Sequence, residues 1–164
     1  MNTNHSQMKD FDIEERADRA VHNFMSGYNC AQSVFLAYSD LFDIDIDTAK
    51  KMSVSFGGGM GRMREVCGTM SAMAMLTGFK YPVENPADQE ARKRNYAMVQ
   101  KVASLFKEKH NTIICRELIN SKDAAETDPT PSPRTAEYYK KRPCCRYVET
   151  AALIAGKMLK NELD

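Results

Sequence analysis

The chain has no tryptophan among its 164 residues and only three histidines, at positions 5, 22 and 110. Histidines so scattered supply neither the paired ligands of a zinc hydrolase nor a readable Ser-His-Asp order. No stretch approaches the ~20 apolar residues that span a bilayer. The polar start Met1-Asn2-Thr3-Asn4-His5-Ser6 lacks the apolar segment of a signal peptide, so we expect a cytoplasmic protein and no membrane partner. Net charge is nearly absent too. Lys plus Arg number 23 against 22 Asp plus Glu, leaving +1, which gives no electrostatic case for nucleic acid as the main partner. No C-x-x-C pair occurs, although zinc ribbons and bacterial ferredoxins usually present their ligands that way. An odd number of cysteines, five in all and mostly far apart, argues against a framework of structural disulfides in a reducing compartment.

What is present is helical spacing. The length suits one domain, and we read residues 1–164 as a single all-α multi-helix bundle with a flexible N-terminus over 1–11. Ile13, Ala17, Ala20, Val21 and Phe24 share one face of a first helix that stops at Gly27. Asn29 caps a second, in which Cys30, Val34, Ala37 and Leu41 fall on one face. Asp47 is placed to cap a short third helix carrying Met52, Val54 and Phe56. A glycine run ends it. The next helix starts near Cys67 and is built of small or flexible residues, including Gly68, Ser71, Ala72, Met73 and Ala74, which places it at the bundle centre. Beyond Pro82 and Pro86 a charged helix runs from about Ala87 to Lys109, with Tyr96, Val99, Ala103 and Phe106 on its apolar face. Thr112 caps a short helix over Cys115 to Ile119. Residues 121–134, with Pro129, Pro131 and Pro133, read as a surface loop. Pro143 opens a last helix with Val148, Ala151, Ala152, Ala155, Met158 and Leu159 inward. Eleven methionines read as gap-filling core side chains.

Every cysteine sits at a predicted helix start: Cys30, Cys67, Cys115 and the pair Cys144-Cys145. Free backbone N–H groups and the positive end of the helix dipole favour thiolate over thiol there. Buried structural cysteines have no reason to collect in first turns, where polar caps are preferred, so a shared redox or metal site is the better reading. Four sulfur positions are the number that tetrahedral zinc or an iron–sulfur cluster requires. Neighbours on a helix project in different directions, so one of Cys144 and Cys145 belongs in the site and the other packs elsewhere. The loop Phe56-Gly57-Gly58-Gly59-Met60-Gly61-Arg62 lacks the Lys-Ser/Thr ending of a phosphate loop. We expect Gly57, Gly58, Gly59, Gly61 and Arg62 to fold over the sulfur site and donate N–H groups to it. Arg62 and Arg64 lie close enough in sequence to lower the pKa of Cys67.

Asn29-Cys30-Ala31-Gln32, the glycine loop leading to Cys67-Gly68, Cys115-Arg116-Glu117-Leu118 and Cys144-Cys145 together resemble the C_GCAxxG_C_C family of bacterial and archaeal proteins named as redox-active. The resemblance runs from about Ala17 to Leu159. It implies an all-helical domain with a redox role and an iron–sulfur or other metal site, since related domains occur joined to haem-carrying modules. The ligands it implies are Cys30, Cys67, Cys115 and Cys144, with Cys145 as the alternative to the last. Thr69 and Ala72 stand where smaller residues are expected around the central cysteine.

Three functions follow. The first is electron transfer or redox sensing through a cysteine-ligated iron–sulfur cluster, with a redox partner protein. The second is a metal-free thiol/disulfide oxidoreductase, in which one thiolate attacks and another cysteine resolves. The third is a non-catalytic helical module held by zinc or by packed cysteines. A homodimer is the default assembly.

Overall fold

A short polar residue ahead of an apolar-periodic stretch starts most of the helices. Asp12 accepts from the Glu15 N–H at 2.7 Å and opens α1 (Ile13–Met25), which ends at Ser26 before Gly27 turns the chain at φ +102°. Asn29 opens α2 (Cys30–Leu36) with a reciprocal capping box: its side chain accepts from the Gln32 N–H, and the Gln32 side chain accepts from the Asn29 N–H. Asp45 starts α3 (Ile46–Ser53) and Asp88 starts α5 (Gln89–His110), each by a single side-chain cap that accepts from the Thr48 and Ala91 N–H groups respectively. Three helices lack a side-chain cap: α4 (Gly68–Lys80), α6 (Cys115–Ile119) and the last helix, after Pro143. After α7 (Ala136–Lys141), capped by Thr135, the chain closes with α8 (Cys144–Lys160) behind Pro143. This computed structural model describes residues 9–120 and 122–164, and among them there are α-helices and short 3-10 turns with a single isolated β-bridge. None of these helices is long and apolar enough to cross a membrane.

The core lies where α8 meets α1, α4 and α2, with α5 covering α4 and α8. Val148, Ala151, Ala152, Ala155, Met158 and Leu159 of α8 are all buried, as their spacing predicts. α4 contributes Met70, Ala72, Met73 and Leu76, and its small residues allow the close approach expected of a central helix. Two polar contacts tie the layers. Tyr38, fully buried, donates to the Ala152 carbonyl at 2.7 Å. Arg16, buried on α1, donates to the Ala37 carbonyl at 2.8 Å and pairs with Asp40, so its charge is compensated where it is withdrawn from water.

Several expectations require correction. Phe11, assigned to a flexible terminus, is buried with its ring edge-on to Tyr38, 5.7 Å between centroids; residues 1–8 lie outside the described part. The second helix stops at Leu36, so Leu41 falls in a following 3-10 turn. The third is capped by Asp45 rather than Asp47, because the Asp45 carboxylate accepts from the Thr48 N–H at 2.9 Å. Tyr96 is exposed, and Val102 takes the buried position beside Phe106. Thr112 does not cap the Cys115 helix: its cap position is Ile114, and the Thr112 hydroxyl accepts from the Ile114 N–H instead. The surface loop begins with a 3-10 turn over Lys122–Ala125, and Ser121 is not described.

Gly156 marks the tightest helix contact. A Cβ there would stand 2.6 Å from the Tyr38 hydroxyl and 2.8 Å from Ile13 Cγ2. Gly156→Ala should therefore lower stability by about 1–3 kcal/mol, the cost of overpacking, although alanine is by itself the better helix former by about 1 kcal/mol. A lower urea midpoint at unchanged slope is the expected result. A raised midpoint would show that the contact yields without cost.

Candidate functional site

The glycine loop brings the cysteines together. Gly58, Gly59, Met60, Gly61 and Arg62 all hold positive φ, between 56° and 71°, and Arg64 follows at 61°. Three of these are not glycine, and each left-handed residue with a Cβ costs roughly 1 kcal/mol. The loop closes on itself through Gly61 N–H to the Ser55 carbonyl at 2.8 Å and Glu65 N–H to the Gly59 carbonyl at 3.0 Å. It then runs antiparallel to the segment before α6. Val66 pairs with Ile114, the Cys67 N–H donates to the Ile113 carbonyl at 2.8 Å, and the Cys115 N–H donates to the Glu65 carbonyl at 2.6 Å. This two-strand contact takes the place of side-chain caps at both helix starts. It also sets Cys67 opposite Ile113 and Cys115 opposite Glu65, fixing both cysteines on one short antiparallel contact.

Cys30, Cys67, Cys115 and Cys144 line one cavity of about 400 Å³. Each stands at a helix start: Cys30, Cys115 and Cys144 are the first residues of α2, α6 and α8, and Cys67 is the N-cap of α4. Cys145, one residue on, lies outside the cavity wall. Gly57, Gly58, Gly61 and Arg62 also line the cavity. Gly59 stands behind it, where an added Cβ would be 2.6 Å from Cys115 Cβ. All five thiols are free of disulfides.

The four cavity sulfurs are electrostatically unequal. Cys30 is lowered to about 6, first because the Cys67 thiol donates a hydrogen bond to it, and then, against the cost of burial, because the N–H groups of Gly58, Ala31 and Gly68 point at it. Cys67 is raised well above an ordinary thiol, since it gives its proton to that bond, is buried, and faces the Cys30 charge. The Thr69 hydroxyl, 3.1 Å from the Cys67 sulfur, completes a chain of donors running Thr69, Cys67, Cys30. Burial raises Cys115, with the Cys30 charge adding and Arg64 opposing; burial and Cys30 push Cys144 up to about 12. One thiolate among protonated neighbours results. The arginine expectation was wrong in its target: Arg64 acts on Cys115, while Arg62 reaches away to the Asp128 carbonyl at 2.7 Å.

Sequence reasoning missed the far wall. Pro129, Pro131, Ser132 and Arg134 from the supposed surface loop, with Tyr138 and Arg142, face the cysteines across the cavity. Arg62 and Arg64 hold this loop in place, Arg64 Nε donating to the Glu126 carbonyl at 3.1 Å. Nothing in the spacing of 121–142 announces this, because the contacts join segments some sixty residues apart.

Compared with known proteins, residues 28–158 match the family described as "Putative redox-active protein (C_GCAxxG_C_C)". The chain belongs to this family. The match begins two residues before Cys30 and takes in all four cavity cysteines and the glycine loop. No curated protein and no solved structure matches the chain.

Alkylation with iodoacetamide, followed residue by residue by mass spectrometry, should modify Cys30 first. Its rate should be level above about pH 7 and fall about tenfold per unit below pH 6, because only the thiolate reacts. Cys67→Ala removes the principal donor and should move this profile toward the ordinary thiol range. An unmoved profile would mean that the backbone N–H groups alone hold the charge.

Proposed function

We propose that this member of the redox-active family is a metal-free dithiol oxidoreductase in which Cys30 attacks and Cys67 resolves. The geometry that carries the reading is that Cys30, the first residue of α2, and Cys67, the N-cap of α4, line one cavity, with Gly68 packed so closely that a Cβ on it would stand 2.7 Å from the Cys30 sulfur. Within it the Cys67 thiol lowers Cys30 and is itself raised. Cys30 attacks one sulfur of a substrate disulfide, the substrate S–S bond breaks, a mixed disulfide forms, and the departing thiolate takes up the proton of Cys67. The Cys67 sulfur then attacks Cys30, forming a Cys30–Cys67 bond and releasing the second substrate thiolate. The substrate gains two electrons and becomes two thiols. The protein loses two and becomes a disulfide, which a dithiol reductant, free or carried by a redox partner, returns to the starting state. A Cys30 value near 6 suits the attacking role, since a thiol near ambient pH combines thiolate fraction with nucleophilicity.

A second reading is favoured by the number of sulfurs facing one cavity. Among the described residues no three His, Cys, Asp or Glu side chains stand together so as to hold one metal ion. A cluster shares its thiolates among several irons and accepts wider spacing. Cys30, Cys67, Cys115 and Cys144 would be its ligands, and it would supply one-electron transfer, with the Gly58 N–H hydrogen-bonding sulfur.

Oxidation of the reduced protein by a small disulfide distinguishes the two. The expected products are a Cys30–Cys67 disulfide in the wild type, a trapped mixed disulfide on Cys30 in Cys67→Ser, and loss of reaction at neutral pH in Cys30→Ser. Iron with acid-labile sulfide in protein purified without oxygen, lost in Cys67→Ser, would overturn the dithiol reading in favour of the cluster.

A further inference from the structure

The cavity wall is strongly one-signed. Arg62, Arg64, Arg134 and Arg142 line it, and no aspartate or glutamate does. Two of the four are accounted for: Arg142 pairs with Asp123 at 2.8 Å, and Arg62 donates to the Asp128 carbonyl and the Ser132 hydroxyl. The other two are not. Arg64 is only 2% exposed, yet its Nη2 meets no acceptor among the described residues, although Nε is held by the Glu126 carbonyl and the guanidinium also faces Cys115. Arg134 lies with its guanidinium carbon 4.7 Å from the Tyr138 ring centre and 5.0 Å from that of Phe24, and its Nη1 is likewise buried without an acceptor.

A guanidinium carries five donors and no acceptor and stays charged at any physiological pH. Burying such donors unpaired is costly, so an acceptor is expected from the cavity that both arginines line. Cys30 is not that acceptor, because its principal donors are Cys67, Gly58, Ala31 and Gly68. A cavity of about 400 Å³ falls within the ~300–1,000 Å³ range that takes small organic ligands. Val54, Leu118, Ile119 and Pro131 add apolar surface that a bare inorganic oxyanion would not use.

We propose that the cavity binds a small organic acid, its carboxylate or other acidic group held by Arg64 and Arg134 and its apolar body against the proline-bearing loop. Resting on the dithiol reading, the substrate is then an acidic low-molecular-weight disulfide, its S–S bond presented to Cys30 and its sulfurs leaving as two thiols. Arginine serves this role better than lysine because its planar fork matches a carboxylate with two parallel bonds.

Binding and chemistry are tested separately. Calorimetric titration of the reduced protein with suberate, an eight-carbon diacid without a disulfide, should give saturable binding, and its neutral counterpart octanediol should give none. Binding should weaken about tenfold in Arg134→Gln. In kinetics, dithiodipropionate, the disulfide analogue of suberate, should oxidise Cys30 at least tenfold faster than neutral hydroxyethyl disulfide or cationic cystamine, and Arg64→Gln and Arg134→Gln should shrink that ratio. Equal response to suberate and octanediol, together with equal rates for the three disulfides, would overturn the acid site and leave the dithiol reading standing. Saturable suberate binding with no oxidation by any disulfide would do the reverse. Both comparisons can be made on the wild type alone, so a variant that fails to fold does not remove the test.

Discussion

Three backbone N–H groups, those of Gly58, Ala31 and Gly68, join the Cys67 thiol in lowering Cys30 against the cost of its burial. They come from three different segments: the glycine loop, the first turn of α2 and the first turn of α4. A buried negative charge is tolerable only if it is so provided for, and the surrounding architecture follows from that requirement. Gly68 must be glycine for α4 to come this close, since a Cβ there would stand 2.7 Å from the Cys30 sulfur and 2.7 Å from the Phe56 carbonyl. Gly57 meets the same condition against Asn29, whose side chain a Cβ would approach within 2.4 Å. The left-handed run from Gly58 to Arg62 turns an amide inward, at a cost in backbone strain that is concentrated beside the reactive sulfur.

The remaining thiols respond to that charge. Cys67 and Cys115 are buried near it and Cys144 is half-buried, and each is raised in part by the field of Cys30. Four similar helix-start sulfurs thereby become unequal, one lowered and three raised. The Val66–Ile114 bridge supplies the rigidity. It fixes the starts of α4 and α6 through backbone hydrogen bonds, leaving their first side chains free for the cavity. Opposite them, the loop from Pro129 to Arg134 brings the unpaired positive charge that the cysteine wall lacks.

Much of the fold was legible because periodic burial is a local signal. The buried face of α8, the Gly27 stop and the Asn29 cap depend on residues within a turn or two of each other. Where the reading failed, the competing choices were close. Asp45 and Asp47 are both good caps, and only the packing of α3 selects the first. Tyr96 fits the stripe of α5 by spacing, yet it is exposed while Ala91 and Val102 of the same helix are buried.

Taken alone, the sequence determined the helical class, most helix starts, and the placement of every cysteine at one of them, since capping and apolar spacing are properties of short segments. Tertiary structure decided which sulfur carries the charge. Cys30 and Cys67 look alike as helix-start cysteines, yet the second donates its proton to the first, an asymmetry set by where the Gly58 and Gly68 amides point. It also decided that Cys144 rather than Cys145 lines the cavity, and that a proline-bearing loop closes it with Arg134. Charge and burial depend on distances between segments far apart in the chain, and local spacing does not encode those distances.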